Sequence, residues 1–142
     1  MLIRMLYASR AAASITPAVV DAILEKSRKN NADHGITGML CYSDDVFLQA
    51  LEGDRDKVCE LFCKIVRDER NSGVRILSYE EIVERHFGSW TMGKVDITKV
   101  NASLLLKYSA KATLDPFSGS GHASMALLNE LIATAAVVNR GG

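Results

Sequence analysis

Four polar side chains set among apolar neighbours carry the chemistry this sequence offers: Tyr7, Ser27, Asn31 and Gln49. The stretch VFLQALEG (46–53) reads as a strand, so alternate residues face opposite ways. Phe47 and Leu51 point to one side with Gln49 between them, while Val46, Leu48 and Ala50 point to the other. Both faces are apolar, and an amide buried there without partners costs about 1–3 kcal/mol. Tyr7 holds a matching place in LIRMLYA (2–8), on one face with Ile3 and Met5. Ser27 and Asn31 continue the helical spacing of Val20, Ile23 and Leu24, so the inward face of that helix turns polar at its C-terminal end. Two amides, a phenol and a hydroxyl brought together must all find partners or destabilise the fold. A heteroaromatic ligand with several donors and acceptors, slotted between apolar helix faces above a sheet, would supply them. The competing reading is ordinary packing, with the Tyr7 hydroxyl at an edge and Asn31 exposed at a helix end.

Other chemistries find less support. Cys59 and Cys63 lie four apart on one helix face, but a metal would need further ligands, and His34, His86 and His122 have no ligand-like spacing. With Cys41 the cysteine count is odd, which argues against a complete disulfide framework and for free thiols. A length of 142 residues suits one domain with room for a short appendage. Hydrophobic residues make up 48% and charged residues 24%, the balance of a globular chain with a core. Seventeen basic and 17 acidic residues cancel, so no basic footprint for nucleic acid or for a membrane surface is expected. The apolar runs are too short for a membrane span, and MLIRMLYAS is not a secretory signal. The expectation is a cytoplasmic protein with no metal, no nucleic-acid partner and no membrane.

The elements that must position these side chains follow from periodicity and turn chemistry. Residues 2–8 form a first strand, whose other face carries Leu2, Arg4, Leu6 and Ala8. Thr16 caps and Pro17 opens a helix over 17–32 that Gly35 helps to end. ITGMLCYS (36–43) and VFLQALEG (46–53) make a hairpin about Ser43, Asp44 and Asp45. Asp54 caps a second helix over 54–69 with Val58, Leu61, Phe62 and Ile65 on its apolar face. RNSG (70–73) is a turn, 74–83 a fourth strand and 87–96 a fifth, loosened by glycines. The order β-α-β-β-α-β-β is an α+β, ferredoxin-like plan with two helices on one sheet face and one extra strand. First and third strands are expected to be adjacent and parallel. Beyond residue 96, 104–108 reads as a short helix and 114–121 as a loop. Residues 122–139 form an apolar helix with Met125, Leu128, Leu131, Ile132 and Ala135 on one face, and Arg140–Gly142 a frayed tail. That helix needs a surface, either the open sheet face or a second subunit.

Three separated stretches, LIRMLYAS, NNADHGITGMLCYSDDVFLQALEG and FGSWTMG, occur in an order and spacing that resembles the BLUF family of blue-light sensors using a flavin, usually FAD. The resemblance covers roughly residues 1–96, with 97–142 as a C-terminal helical extension packed on the sheet or at an oligomer or partner interface. It implies that Tyr7 is the photoactive tyrosine and Gln49 the essential glutamine, bonding flavin N5 or O4 on one side and the Tyr7 hydroxyl on the other. It implies that Asn31 bonds the flavin ring, that Ser27 supports this network, and that Ile23 and Ile65 sandwich the ring. Arg70 would lie near the ring's pyrimidine edge. Trp90 and Met92 match the family's tryptophan and methionine and, as alternate residues of the fifth strand, are expected to share a face and pass the signal on.

The implied activity is photochemical rather than enzymatic. FAD is the expected cofactor, with FMN and riboflavin left open. Light-driven transfer of an electron and proton from Tyr7 through Gln49 would rearrange the flavin's hydrogen bonds, by rotation or tautomerisation of the amide, and shift its absorption to the red. About 45 residues follow the sensor, too few for a separate enzyme domain. The expected output is therefore homo-oligomerisation, an unidentified downstream signalling protein, or both. Competing readings are a ligand-free interaction module, in which Tyr7 and Gln49 merely bond each other, and a flavoenzyme. An acylphosphatase-like hydrolase is a further one, for which SRAAAS (9–14) is a poor anion loop.

Overall fold

The computed structural model describes residues 1–134. The first strand, β1 (Leu2–Ala11), alternates as its sequence requires: Ile3, Met5 and Tyr7 enter one apolar layer, Leu6 and Ala8 the other. The first helix, α1 (Pro17–His34), starts where the Thr16 hydroxyl accepts the Val19 N–H at 3.3 Å and stops at Gly35, whose φ of 65° suits a residue without a Cβ. Strands β2 (Thr37–Ser43) and β3 (Val46–Asp54) join through Asp44 and Asp45, with Asp44 itself at a φ of 53°. The second helix, α2 (Arg55–Arg67), follows without a side-chain capping bond from Asp54, contrary to expectation; that carboxylate instead meets the Met1 amino group at 3.2 Å.

The strand order is β4-β1-β3-β2-β5, with β4 at Asn71–Glu81 and β5 at Gly93–Asp96. Strands β1 and β3 are adjacent as expected, but they pair antiparallel, not parallel. The helical crossover through α1 makes β2 run in the direction of β1, and the tight hairpin then reverses the chain, so β3 slots between them against both. The one parallel ladder among the described residues joins β2 to β5. Asn71–Gly73 are not a turn: they lengthen β4, where Asn71 and Ser72 still pair with Ala11 and Arg10.

The fifth strand is shorter than its sequence suggests. Strands β4 and β5 lie on opposite edges, so the chain between them must leave the sheet to cross its width, roughly 19 Å at about 4.8 Å per strand. Residues 82–92 do this as an irregular segment that passes from one face of the sheet to the other.

The sheet separates two apolar clusters. On one side α1 and α2 cover Ile3, Met5, Tyr7, Leu40, Phe47 and Leu51. On the other, α3 (Ala102–Tyr108) and α4 (Gly121–Ala133) cover Leu6, Ala8, Met39, Cys41, Leu48 and Ala50. Leu127, Leu128 and Leu131 of α4 are buried there, each contributing about 1.5–3 kcal/mol. The apolar helix thus rests on the sheet of its own chain, with Met125 and Ile132 packed at its margin. The expectations for Ala135, for the helix beyond it and for the tail at Arg140 lie outside the described residues.

Candidate functional site

A cleft of about 580 Å³ opens between α1 and α2 above the sheet. Every expected cofactor-binding residue lines it: Ile23, Ser27, Asn31, Gln49, Ile65 and Arg70, together with Tyr7. The sequence explains why the cleft stays open. On α2 only Val58 is fully buried, while Leu61, Phe62 and Ile65 are partly covered and face α1 across the gap. A half-open apolar face over a buried sheet leaves room for a flat ligand.

Tyr7 and Gln49 sit at the floor of the cleft as direct cross-strand partners. Both are at least nine-tenths buried. The Tyr7 hydroxyl donates to Gln49 Oε1, and the Phe62 ring meets the Tyr7 ring edge-on at 5.5 Å. Burial pushes the Tyr7 hydroxyl far above its ordinary value, so it stays protonated. Gln49 Nε2 donates to Met92 Sδ at 3.4 Å. The amide is therefore held by a phenol on one side and a thioether, a weak acceptor, on the other.

Asn31 supplies the sign of a missing partner. Its Nδ2 donates to the Thr91 carbonyl at 3.2 Å, but its Oδ1 is buried and has no hydrogen-bond partner. Such an acceptor calls for a ligand N–H in the cleft. At the rim, Arg70 grips the Asp68 carboxylate through contacts of 2.6–3.1 Å. The Arg70 side chain and its backbone N–H hold the Asp68 pKa down to about 2. A fixed carboxylate and a guanidinium at one mouth of the cleft offer both an acceptor and donors to a heterocycle's polar edge.

Trp90 and Met92 do not share a face. The expectation treated 87–96 as a strand, but these residues lie in the irregular crossing segment. Trp90 belongs to the α4-side cluster beside Phe87, whereas Met92 lies on the cleft side against Gln49. Sequence reasoning also missed residues that the fold brings to the site. Lys26, Asn30, Lys64 and Asp68 line the cleft. Arg28 holds the Met92 carbonyl at 3.2 and 3.3 Å. Nothing in their spacing marks them out from an ordinary solvated helix face or turn.

A second, larger groove of about 730 Å³ lies between β5, α3 and α4. Within it Lys107 pairs with Glu130 at 2.5 Å, and Lys94 pairs with Asp21 outside it at 3.3 Å. The cleft with the unpartnered Asn31 oxygen is the better candidate. Of residues 9–14, Ser9, Arg10 and Ala11 complete β1, with Arg10 over the Phe117 ring at 4.3 Å, and residues 11–14 line the α1–α2 cleft.

Residues 2–93 match the family model described as sensors of blue-light using FAD. The chain belongs to the BLUF family. Among solved structures the BLUF protein BlrB in its dark state is 30% identical with a TM-score of 0.79, over 94% of this chain and 96% of that one. BlsA in its photo-activated state is likewise 30% identical, with a TM-score of 0.80 over 93% of this chain and 95% of its own. The photoactivated adenylate cyclase subunit beta of Euglena longa is 33% identical over 87 residues, 61% of this chain. This chain spans about a tenth of the length of the cyclase subunits it matches, since only 10% of such a subunit is covered. What is shared is the light-sensing BLUF module rather than a catalytic domain. The cleft suits the flavin that the family description names: apolar walls from both helices, an unpartnered buried acceptor at Asn31, and polar groups at the mouth.

Proposed function

We propose that this BLUF protein is a blue-light photoreceptor that holds an oxidised flavin in the α1–α2 cleft and signals through rearrangement of Gln49. Ile23 and Ile65 would flank the ring, with Asn31 Oδ1 and the Asp68–Arg70 pair meeting its polar edge and Ser27 supporting them from α1. The bound flavin supplies the chromophore and, once excited, a strong oxidant. Tyr7 is the electron donor. Its proton leaves along the bond it already makes to Gln49 Oε1, and returns when the electron does. Gln49 is left in a second arrangement, rotated or tautomerised, which breaks its contact with Met92. Its altered hydrogen bonding moves the absorption to the red, and the dark state returns thermally.

Output passes through Gln49, Met92 and Trp90 to the α3–α4 layer, and from there to a partner protein or a second copy of the chain in the cytoplasm. The observation that carries the reading is a buried Tyr7–Gln49 bond in the same cleft as an unpartnered Asn31 oxygen. The absorption spectrum of the purified protein, in the dark and after blue light, tests it. A yellow protein with a small, reversible red shift is expected. A protein that stays colourless after added flavin, or a yellow one without the shift, overturns the reading.

A further inference from the structure

We propose that Glu52 is a positioning residue for the Gln49 switch: its buried carboxylate anchors the segment 85–92 and so keeps Met92 against the Gln49 amide. The inference deepens the photoreceptor reading and rests on it. Glu52 lies three residues after Gln49 on β3, so it faces the opposite side of the sheet. It is 0% exposed and is the one fully buried carboxylate among the described residues. Three donors converge on its two oxygens: Arg4 Nε at 2.7 Å, the His86 N–H at 3.0 Å and the Phe87 N–H at 2.6 Å.

The crossing segment has little structure of its own, with one turn bond from Trp90 N–H to the Phe87 carbonyl at 3.2 Å. Its place is set from outside. Beside Glu52, the Arg85 side chain reaches Thr37 Oγ1 at 2.9 Å, the Glu52 carbonyl at 3.3 Å and the Gly35 carbonyl at 2.8 Å. In the middle, the Gly38 N–H bonds the Trp90 carbonyl at 3.1 Å. At the far end, Asn31 and Arg28 hold the carbonyls of Thr91 and Met92. The contact from Gln49 to the Met92 sulfur is too weak to fix the segment by itself. The anchors decide where that sulfur sits, and among them Glu52 is the one carboxylate, accepting where Arg85, Arg28 and Asn31 donate. An amide at position 52 keeps the shape but turns an N–H toward at least one of three groups that are themselves donors.

Dark recovery after blue light is the first readout, in the holoprotein and in the variants Glu52→Gln, Met92→Leu and the double variant. Glu52→Gln is expected to keep the red shift, because Tyr7 and Gln49 are untouched, and to change the recovery rate by about tenfold. In the Met92→Leu background the same change is expected to alter recovery by less than about twofold. The second readout needs no flavin. Trp90 is the sole tryptophan and lies in the anchored segment, so acrylamide quenching of its fluorescence in the flavin-free protein should rise severalfold in Glu52→Gln. Wild-type recovery and quenching in Glu52→Gln, or an equal effect on recovery with and without Met92, overturns the proposal. Should Glu52→Gln not fold, Glu52→Asp, which draws the carboxylate back from the His86 and Phe87 N–H groups, is read in the same two ways, and unchanged values there overturn it. A wild-type chain with no red shift would instead overturn the photoreceptor reading, while Trp90 quenching still decides whether Glu52 anchors the segment.

Discussion

Tyr7 and Gln49 stand directly opposite each other on β1 and β3, and the Tyr7 hydroxyl donates to Gln49 Oε1. Their meeting is a matter of register: a slip by one residue would send one of them to the α4 side of the sheet. The bond is set by the sheet rather than by the helices, so a ligand entering from above finds it already made.

Tyr7→Phe and Gln49→Leu are expected to keep flavin and lose the normal red shift. Each removes one end of the bond while leaving the cleft walls intact. Dark and light spectra of the purified variants decide it, and a normal reversible shift in either would sink the relay.

Asn31→Ala should weaken flavin binding by about tenfold, the value of one buried hydrogen bond of about 1.4 kcal/mol. Equilibrium titration of flavin-free protein measures it. An unchanged dissociation constant would mean that Asn31 Oδ1 is not a ligand contact.

Gly38→Ala should cost stability and press on Met92, since its Cβ would lie 3.3 Å from Met92 Cε. A Cβ at position 38 would lie 2.1 Å from the Ala50 carbonyl oxygen, so the β2–β3 ladder itself must shift. Overpacking of this kind costs about 1–3 kcal/mol, readable as a lowered midpoint in urea unfolding.

Leu128→Ala removes a fully buried side chain beneath the sheet and is expected to cost about 2–5 kcal/mol. Leu106→Ala, at a position 54% exposed on α3, should change stability by less than about 0.5 kcal/mol. Equal effects would show that α4 contributes nothing to the core of its own chain.

Asp68 should titrate near 2 rather than at its ordinary 3.8, because Arg70 bonds its charged form. The folded value lies below the unfolded one, so the stabilisation it brings is complete above about pH 4 and is lost as pH falls toward 2. Carboxyl carbon shifts followed by NMR give the midpoint, and Arg70→Ala should return it toward 3.8.

Much of this could be read from residue order alone. The alternation in LIRMLYA and VFLQALEG assigns the clustered apolar side chains, Ile3, Met5, Tyr7, Phe47 and Leu51 on one side and Leu6, Ala8, Val46, Leu48 and Ala50 on the other, to their observed layers. The polar end of the α1 face placed Ser27 and Asn31 at the cleft. The expected parallel pairing of β1 and β3 leaves out the hairpin reversal: the crossover sets β2 parallel to β1, and the tight turn then makes β3 antiparallel to both. The segment 87–92 was misread because its glycines and apolar residues imitate a loose strand, whereas its course is fixed by distant donors and acceptors such as Arg28, Asn31 and Glu52. Those residue types are common on solvated surfaces, so pattern alone gives them no mark.

The division of labour along β1 and β3 has a consequence for how such a sensor changes over time. Odd-numbered positions from Ile3 to Tyr7 and from Phe47 to Leu51 face the α1–α2 layer, with Tyr7, Phe47 and Gln49 lining the cleft, while Leu6, Ala8, Val46, Leu48 and Ala50 face the opposite layer. Under the proposed function, most substitutions on one parity would act on the flavin cleft and most on the other on the α3–α4 layer, while Glu52, on the second face, would reach both. The two layers are interleaved residue by residue in the same strands, so most positions could change on one face and leave the other intact.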